Sequence, residues 1–107
     1  MARKEYDKLI RDRIPEIIRA DGRECGLEIM EEDEYKQALL QKVVEEAQEV
    51  LDAPLDKLIM ELADLYEVID TVMVAYDIDK QNVIDLQAKR REERGGFSDR
   101  LRLLWIE

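Results

Sequence analysis

A chain of 107 residues, 46% hydrophobic and 41% charged, has enough apolar mass for the core of one domain, which excludes a disordered or low-complexity protein. Aromatics make up only 6%, and four Gly and two Pro leave a sequence dominated by strong helix formers, so the expected class is all-α. The formal charge of −10 comes with no histidine and a single Cys25, which excludes an internal disulfide and removes the commonest general base and transition-metal ligand.

The opening stretch MARKEYDKLIRDRIP reads as extended or irregular. Ile14 precedes Pro15, which disfavours the α conformation at Ile14 and suits Pro15 as a first helical residue. A short helix over 15–20 then ends at Asp21-Gly22. Residues 22–30 are a loop in which Leu27 to Met30 are expected as a short extended segment. A second helix starts near Glu31–Asp33, whose acids complement its N-terminal dipole. Its apolar positions, Leu39, Leu40, Val43, Val44, Ala47, Val50 and Leu51, recur at i, i+3/i+4. Asp52-Ala53-Pro54 breaks it, and Pro54 or Leu55 opens a third helix running to about Tyr76. So short a link makes these two helices antiparallel neighbours. Asp79 is the expected N-cap of a fourth helix over 80–93, which carries Val83, Ile84 and Leu86 and stops at Gly95-Gly96. The closing FSDRLRLLWIE is amphipathic, and its Phe97, Leu101, Leu103, Leu104, Trp105 and Ile106 are expected to dock on the bundle or on a partner chain.

The expected fold is thus an antiparallel helical bundle of four-helix type, a single domain over 1–107, completed by oligomerisation. The third helix, LIMELADLYEVIDTVMVAY, is apolar over most of its circumference, more than three or four short helices can cover. A homodimer or homotetramer follows, with Val68, Val72 and Met73 as shared-core candidates. Glu61, Asp64, Glu67 and Asp70 break the same run, so it is not a membrane span, and no signal peptide is present. With one free thiol, a cytoplasmic protein without a membrane partner is expected. Cys25, lacking any His partner, reads as a structural thiol rather than a nucleophile.

Charge is segregated along the chain. Residues 1–23 hold seven Lys/Arg and 89–102 hold six, whereas 24–88 hold four basic residues against eighteen acidic ones, a formal balance of −14. So acidic a middle excludes general nucleic-acid binding. Basic ends around a carboxylate centre suit a compact anionic ligand arriving with a divalent ion. The acids gather in two phrases, VVEEAQEVL and MELADLY, which set Glu46 with Glu49 and Glu61 with Asp64 at i, i+3 on one helical face each. Between 43 and 79 only Lys57 is positive, so an ordinary salt-bridge network suits these acids poorly. Across an antiparallel hairpin, residues 46 and 61 stand at similar heights, letting four carboxylates converge. Such a quartet repels itself unless a cation is shared, and all-oxygen donors select Mg²⁺ or Mn²⁺.

The order of YDKLIRDRIPEII (6–18), KVVEEAQEV (42–50), MELADLYEVID (60–70) and KRREERGGF (89–97) resembles the MazG-like all-α nucleoside triphosphate pyrophosphohydrolases, in particular their phosphoribosyl-ATP pyrophosphohydrolase-like branch. The EExxE phrase is matched by Glu45, Glu46 and Glu49 and the ExxD phrase by Glu61 and Asp64. Arg13 departs from the Lys often found there in this branch and keeps its charge. The resemblance implies an Mg²⁺-dependent hydrolase that cuts a nucleoside triphosphate to its monophosphate and pyrophosphate, a house-cleaning activity on the nucleotide pool. It implies Glu46, Glu49, Glu61 and Asp64 as metal ligands, Glu45 with Glu46 as catalytic acids, Glu45 orienting water, and Lys8, Arg11, Lys89 and Arg94 as phosphate holders. Two alternatives stand beside it: phosphoribosyl-ATP pyrophosphohydrolase of histidine biosynthesis, and a non-catalytic helical binding module.

Overall fold

A computed structural model of the chain describes residues 3–107, and among them all regular structure is helical. Helix α1 spans Ile14–Ala20, α2 Glu32–Asp52, α3 Leu58–Ala75 and α4 Lys80–Arg94, with one turn of 3-10 helix at Leu55–Lys57 leading into α3. The expected all-α class and the four helical spans therefore stand. The segment Leu27–Met30 forms no strand, and Ile14, not Pro15, is the first residue of α1.

Local chemistry accounts for the helix ends. Asp79 caps α4 by accepting from the Gln81 N–H at 2.9 Å, as its position before the helix dictates. Helix α1 stops where Gly22 turns left-handed (φ 77°), which lets the Gly22 and Arg23 N–H groups return to the Arg19 and Ile18 carbonyls. Helix α3 ends the same way with Asp77 in the left-handed position (φ 55°): Asp77 N–H donates to Val74 and Ile78 N–H to Met73. An aspartate tolerates this conformation better than most side chains.

The tertiary structure rests on one pairing, α2 against α3. Half-buried and buried positions on α2 recur as Lys36, Leu39, Val43, Glu46 and Val50, and on α3 as Leu58, Glu61, Leu65, Val68, Val72 and Ala75. This alternating three- and four-residue spacing is that of a helix–helix seam. The register is antiparallel: the Lys36 ammonium lies 5.5 Å from the Tyr76 ring, while ten residues further along α2 Glu46 faces Glu61 and Asp64. Among the described residues only Leu39 (3% exposed) and Met73 (7%) are buried outright. Met73, expected in a core shared between chains, is already buried within one chain.

The rest of the apolar surface is uncovered. Leu40, Val44 and Leu51 stand outward on α2, and Ile59, Leu62, Tyr66 and Ile69 on α3, each row at helical spacing. Helix α4 packs on no other helix over any length, and the tail is open, from Phe97 (98% exposed) to Ile106. The accessible surface is 10288 Å², where a folded monomer of 12.6 kDa has roughly 6,200 Å². The radius of gyration is 18.5 Å, against about 13 Å for a compact chain of this length.

With so few buried side chains, each one matters. Met73→Ala is expected to cost about 2–3 kcal/mol, the low end of the cavity range because half-exposed neighbours can settle into the gap. Urea denaturation measures it; a loss below about 0.5 kcal/mol, the scale of a surface substitution, would show that this seam is not the core.

Candidate functional site

The two acidic phrases meet in the seam. Glu46 from α2 and Glu61 and Asp64 from α3 each offer a carboxylate oxygen, and these oxygens all lie within 4.8 Å of one another. All three side chains are half-buried. Glu46 and Glu61 stand where the seam pattern calls for an apolar residue, between Val43 and Val50 on α2 and between Leu58 and Leu65 on α3, and Asp64 stands beside that row. The hairpin link places them, as it must: the sixth residue before the end of α2 comes opposite the first turns of α3.

Glu49 stands outside this group. Three residues beyond Glu46 it has turned about 60° around the helix, to an exposed position at the border of the seam. The structure therefore assembles a triad where the sequence suggested a quartet, although the Glu49 charge still acts on Glu46. Glu45 points away, pairs with Lys42 at 3.4 Å, and lines a shallow groove of about 310 Å³ between α2 and residues 7–9. Lys8 lines the same groove, its ammonium 5.6 Å from the Tyr6 ring.

A cation reaches the triad from far along the chain. Arg11 donates to Asp64 Oδ1 at 2.7 Å, across 53 residues of sequence. The scarcity of basic residues between 43 and 79 had left Asp64 without a local partner, and the N-terminal segment supplies one. That pairing carries no signal in the sequence, because nothing in the spacing says where residues 3–13 cross the hairpin. The Lys42–Glu45 pair, at i, i+3, was open to inspection. Lys89 pairs with Glu93 in its own helix at 3.9 Å, and Arg94 ends α4 on the open side of the molecule. Within one chain these two are not brought to the carboxylates.

Electrostatics single out Glu46. Burial pushes its carboxyl above the ordinary value; Lys42 pulls it back, and Asp64, Glu61 and Glu49 add to the rise. Among the described residues Glu46 and Glu61 have no ion pair. A divalent cation would relieve the repulsion, and the donor set, carboxylate oxygen alone in a chain without histidine, fits Mg²⁺ or Mn²⁺ and not a soft metal. Cys25 lies in the loop after α1 and is not part of the set.

Glu46 predicts a pH dependence of definite sign. A carboxyl that binds its proton more tightly when folded contributes stability fully present below its ordinary value of 4.5 and lost as pH rises through the raised folded value. In chelator, the melting temperature should fall over that window more steeply for the parent than for Glu46→Gln. Parallel curves would show that Glu46 is not perturbed.

Compared with protein-family models, with curated proteins and with solved structures, the chain matches none.

Proposed function

We propose that the protein is a nucleoside triphosphate pyrophosphohydrolase dependent on Mg²⁺, with Mn²⁺ as a substitute, built on the MazG-like pattern. The observation that carries this reading is the convergence of Glu46, Glu61 and Asp64 across the α2–α3 seam, from the two phrases on which the family resemblance rests. Acids placed in a seam cost stability, and a structural role would call for matched cations that Glu46 and Glu61 lack among the described residues.

When bound, a divalent ion neutralises phosphate charge and makes a water acidic enough to attack phosphorus near neutral pH. The chain does the rest. Glu46, Glu61 and Asp64 hold the ion, with Glu49 at the border of the set. Glu45, on the next position of α2, orients water or supports the ligands. Lys8 and Arg11 approach from the N-terminal segment and hold phosphate oxygens through charge-assisted hydrogen bonds. Lys89 and Arg94 serve the same anion once α4 finds its packing partner.

The decisive experiment is a screen of nucleoside triphosphates, with phosphoribosyl-ATP alongside, for pyrophosphate release with and without Mg²⁺. Turnover that requires the ion and is nearly abolished in Asp64→Asn supports the reading. Mg²⁺ should also raise the melting temperature of the parent by mass action. Asp64→Asn should cost the metal-free chain no more than about 1 kcal/mol, since an exposed Arg11 pair is traded for relief of repulsion. No turnover on any of these substrates would favour the helical binding module.

The assembly forms part of the same proposal. Two hairpins that bury their outward rows, Leu40, Val44 and Leu51 with Ile59, Leu62, Tyr66 and Ile69, make a four-helix bundle, and α4 with the tail adds further cover. The surface in excess of a compact monomer is roughly 4,000 Å², ample for an obligate interface. Light scattering at micromolar concentration should return a homodimer or homotetramer; a monomer would overturn it.

A further inference from the structure

We infer that Arg11 is a built-in counter-ion of the carboxylate site, seated on Asp64 before a metal arrives and released to the substrate anion when one does. This rests on the metal reading of the site and adds an order of events to it. Three carboxylates share one level of the seam, and among the described residues Arg11 is the one basic side chain paired with any of them. The pair is a single contact at 2.7 Å, with side chains 56% and 37% exposed, so it is weak enough to be displaced. Its backbone is pinned while its head has one partner: the Arg11 carbonyl accepts from the Ile14 N–H at 3.1 Å at the entrance to α1, and the guanidinium, bonded only to Asp64, is otherwise open to solvent.

The neighbouring cation is not available for the task. Arg13 donates to both Glu16 oxygens, at 3.1 and 3.3 Å, and points to its own helix. Arg11 already holds Asp64 through Oδ1, so a cation drawn to all three carboxylates competes with the guanidinium for the Asp64 charge. Three negative charges against one guanidinium leave a net charge of −2, and a divalent ion that takes the guanidinium's place leaves −1. Once it does, Arg11 faces a site whose charge is largely cancelled, and an incoming phosphate is the better partner. Arg11 therefore opposes metal binding in the absence of substrate and favours anion binding in the presence of metal, so that the two bind in sequence.

Isothermal titration with Mn²⁺ alone, and with inorganic pyrophosphate in saturating Mn²⁺, tests this on the full chain with Arg11→Ala, Arg11→Lys and Arg13→Ala. Arg11→Ala is expected to bind Mn²⁺ about two- to five-fold more tightly, the range set by an exposed pair. It is expected to bind pyrophosphate about five-fold or more weakly, with Arg11→Lys between it and the parent in both. Arg13→Ala should leave both affinities unchanged. Equal or weaker Mn²⁺ binding by Arg11→Ala would overturn the counter-ion role while leaving the metal site standing, as would an equal gain in Arg13→Ala, which would mark a general field effect. Absence of Mn²⁺ binding by every variant would overturn the metal reading itself, and this inference with it.

Discussion

One seam carries the fold of the single chain. The pairing of α2 with α3 contains its two buried side chains, Leu39 and Met73, and no other pair of long helices is in extended contact. Everything else is held by turn hydrogen bonds and by single ion pairs, Arg11 with Asp64 before α1 and Lys80 of α4 with Asp70 of α3 at 3.0 Å. Three carboxylates stand in that same seam, at the end nearest the hairpin link. A protein with so small a core gives up apolar packing there and accepts mutual repulsion, with only a weak surface pair against Asp64 to offset it. That choice is intelligible if the acids are wanted for a ligand, and hard to justify as architecture.

The helices were legible because their signals are local. The acids before α2, Pro54 between the long helices, Asp79 before α4 and Gly95 after it each act within a turn of the boundary they set. The antiparallel register followed from the shortness of the link, and with it the meeting of residue 46 with residues 61 and 64. What the sequence left hidden is also physical. Helical spacing places Glu49 beside Glu46, but only the direction of the neighbouring helix decides which of two adjacent positions faces inward. That Met73 is buried already within one chain was hidden for a related reason. An all-round apolar helix does not announce which of its faces meets its own chain first. Arg11 lay beyond any local rule, since its partner is 53 residues away.

The seam also explains why the site is built on helices and not on the loops at either end. Glu46, Glu61 and Asp64 all leave regular backbone that is hydrogen-bonded on both sides, so their separations are fixed by the packing of Val43, Leu58, Leu65 and Val50 around them. A loop could bring the same carboxylates together, and repulsion would drive them apart again. In a seam they have no such freedom. Glu46 carries the mark of this placement: burial first, and the neighbouring carboxylates after it, raise its carboxyl above the ordinary value.

The segregation of charge along the sequence takes on a spatial meaning in this light. The acidic stretch from 24 to 88 forms the hairpin, and the basic N-terminal stretch folds back across it, delivering Lys8 to the groove beside α2 and Arg11 to Asp64. Arg11 in particular is more than a solvated charge at a chain end: it reaches a carboxylate group that the middle of the chain does not neutralise for itself. The second basic stretch, 89–102, has no such partner within the described residues. Its cations pair at most with neighbours on α4, and its apolar side chains, Phe97 to Ile106, face solvent beside them. A segment that is both cationic and apolar, left open next to nothing, complements a surface that is both acidic and apolar. The outward faces of α2 and α3 are such a surface, with Glu49 and Glu67 among Leu40, Val44, Leu51, Ile59 and Tyr66. The same two properties that are unmatched at the C-terminal end of one chain are thus unmatched, with opposite sign, on the hairpin, and it is this reciprocity, more than the bare excess of surface, on which the proposal of a second copy rests.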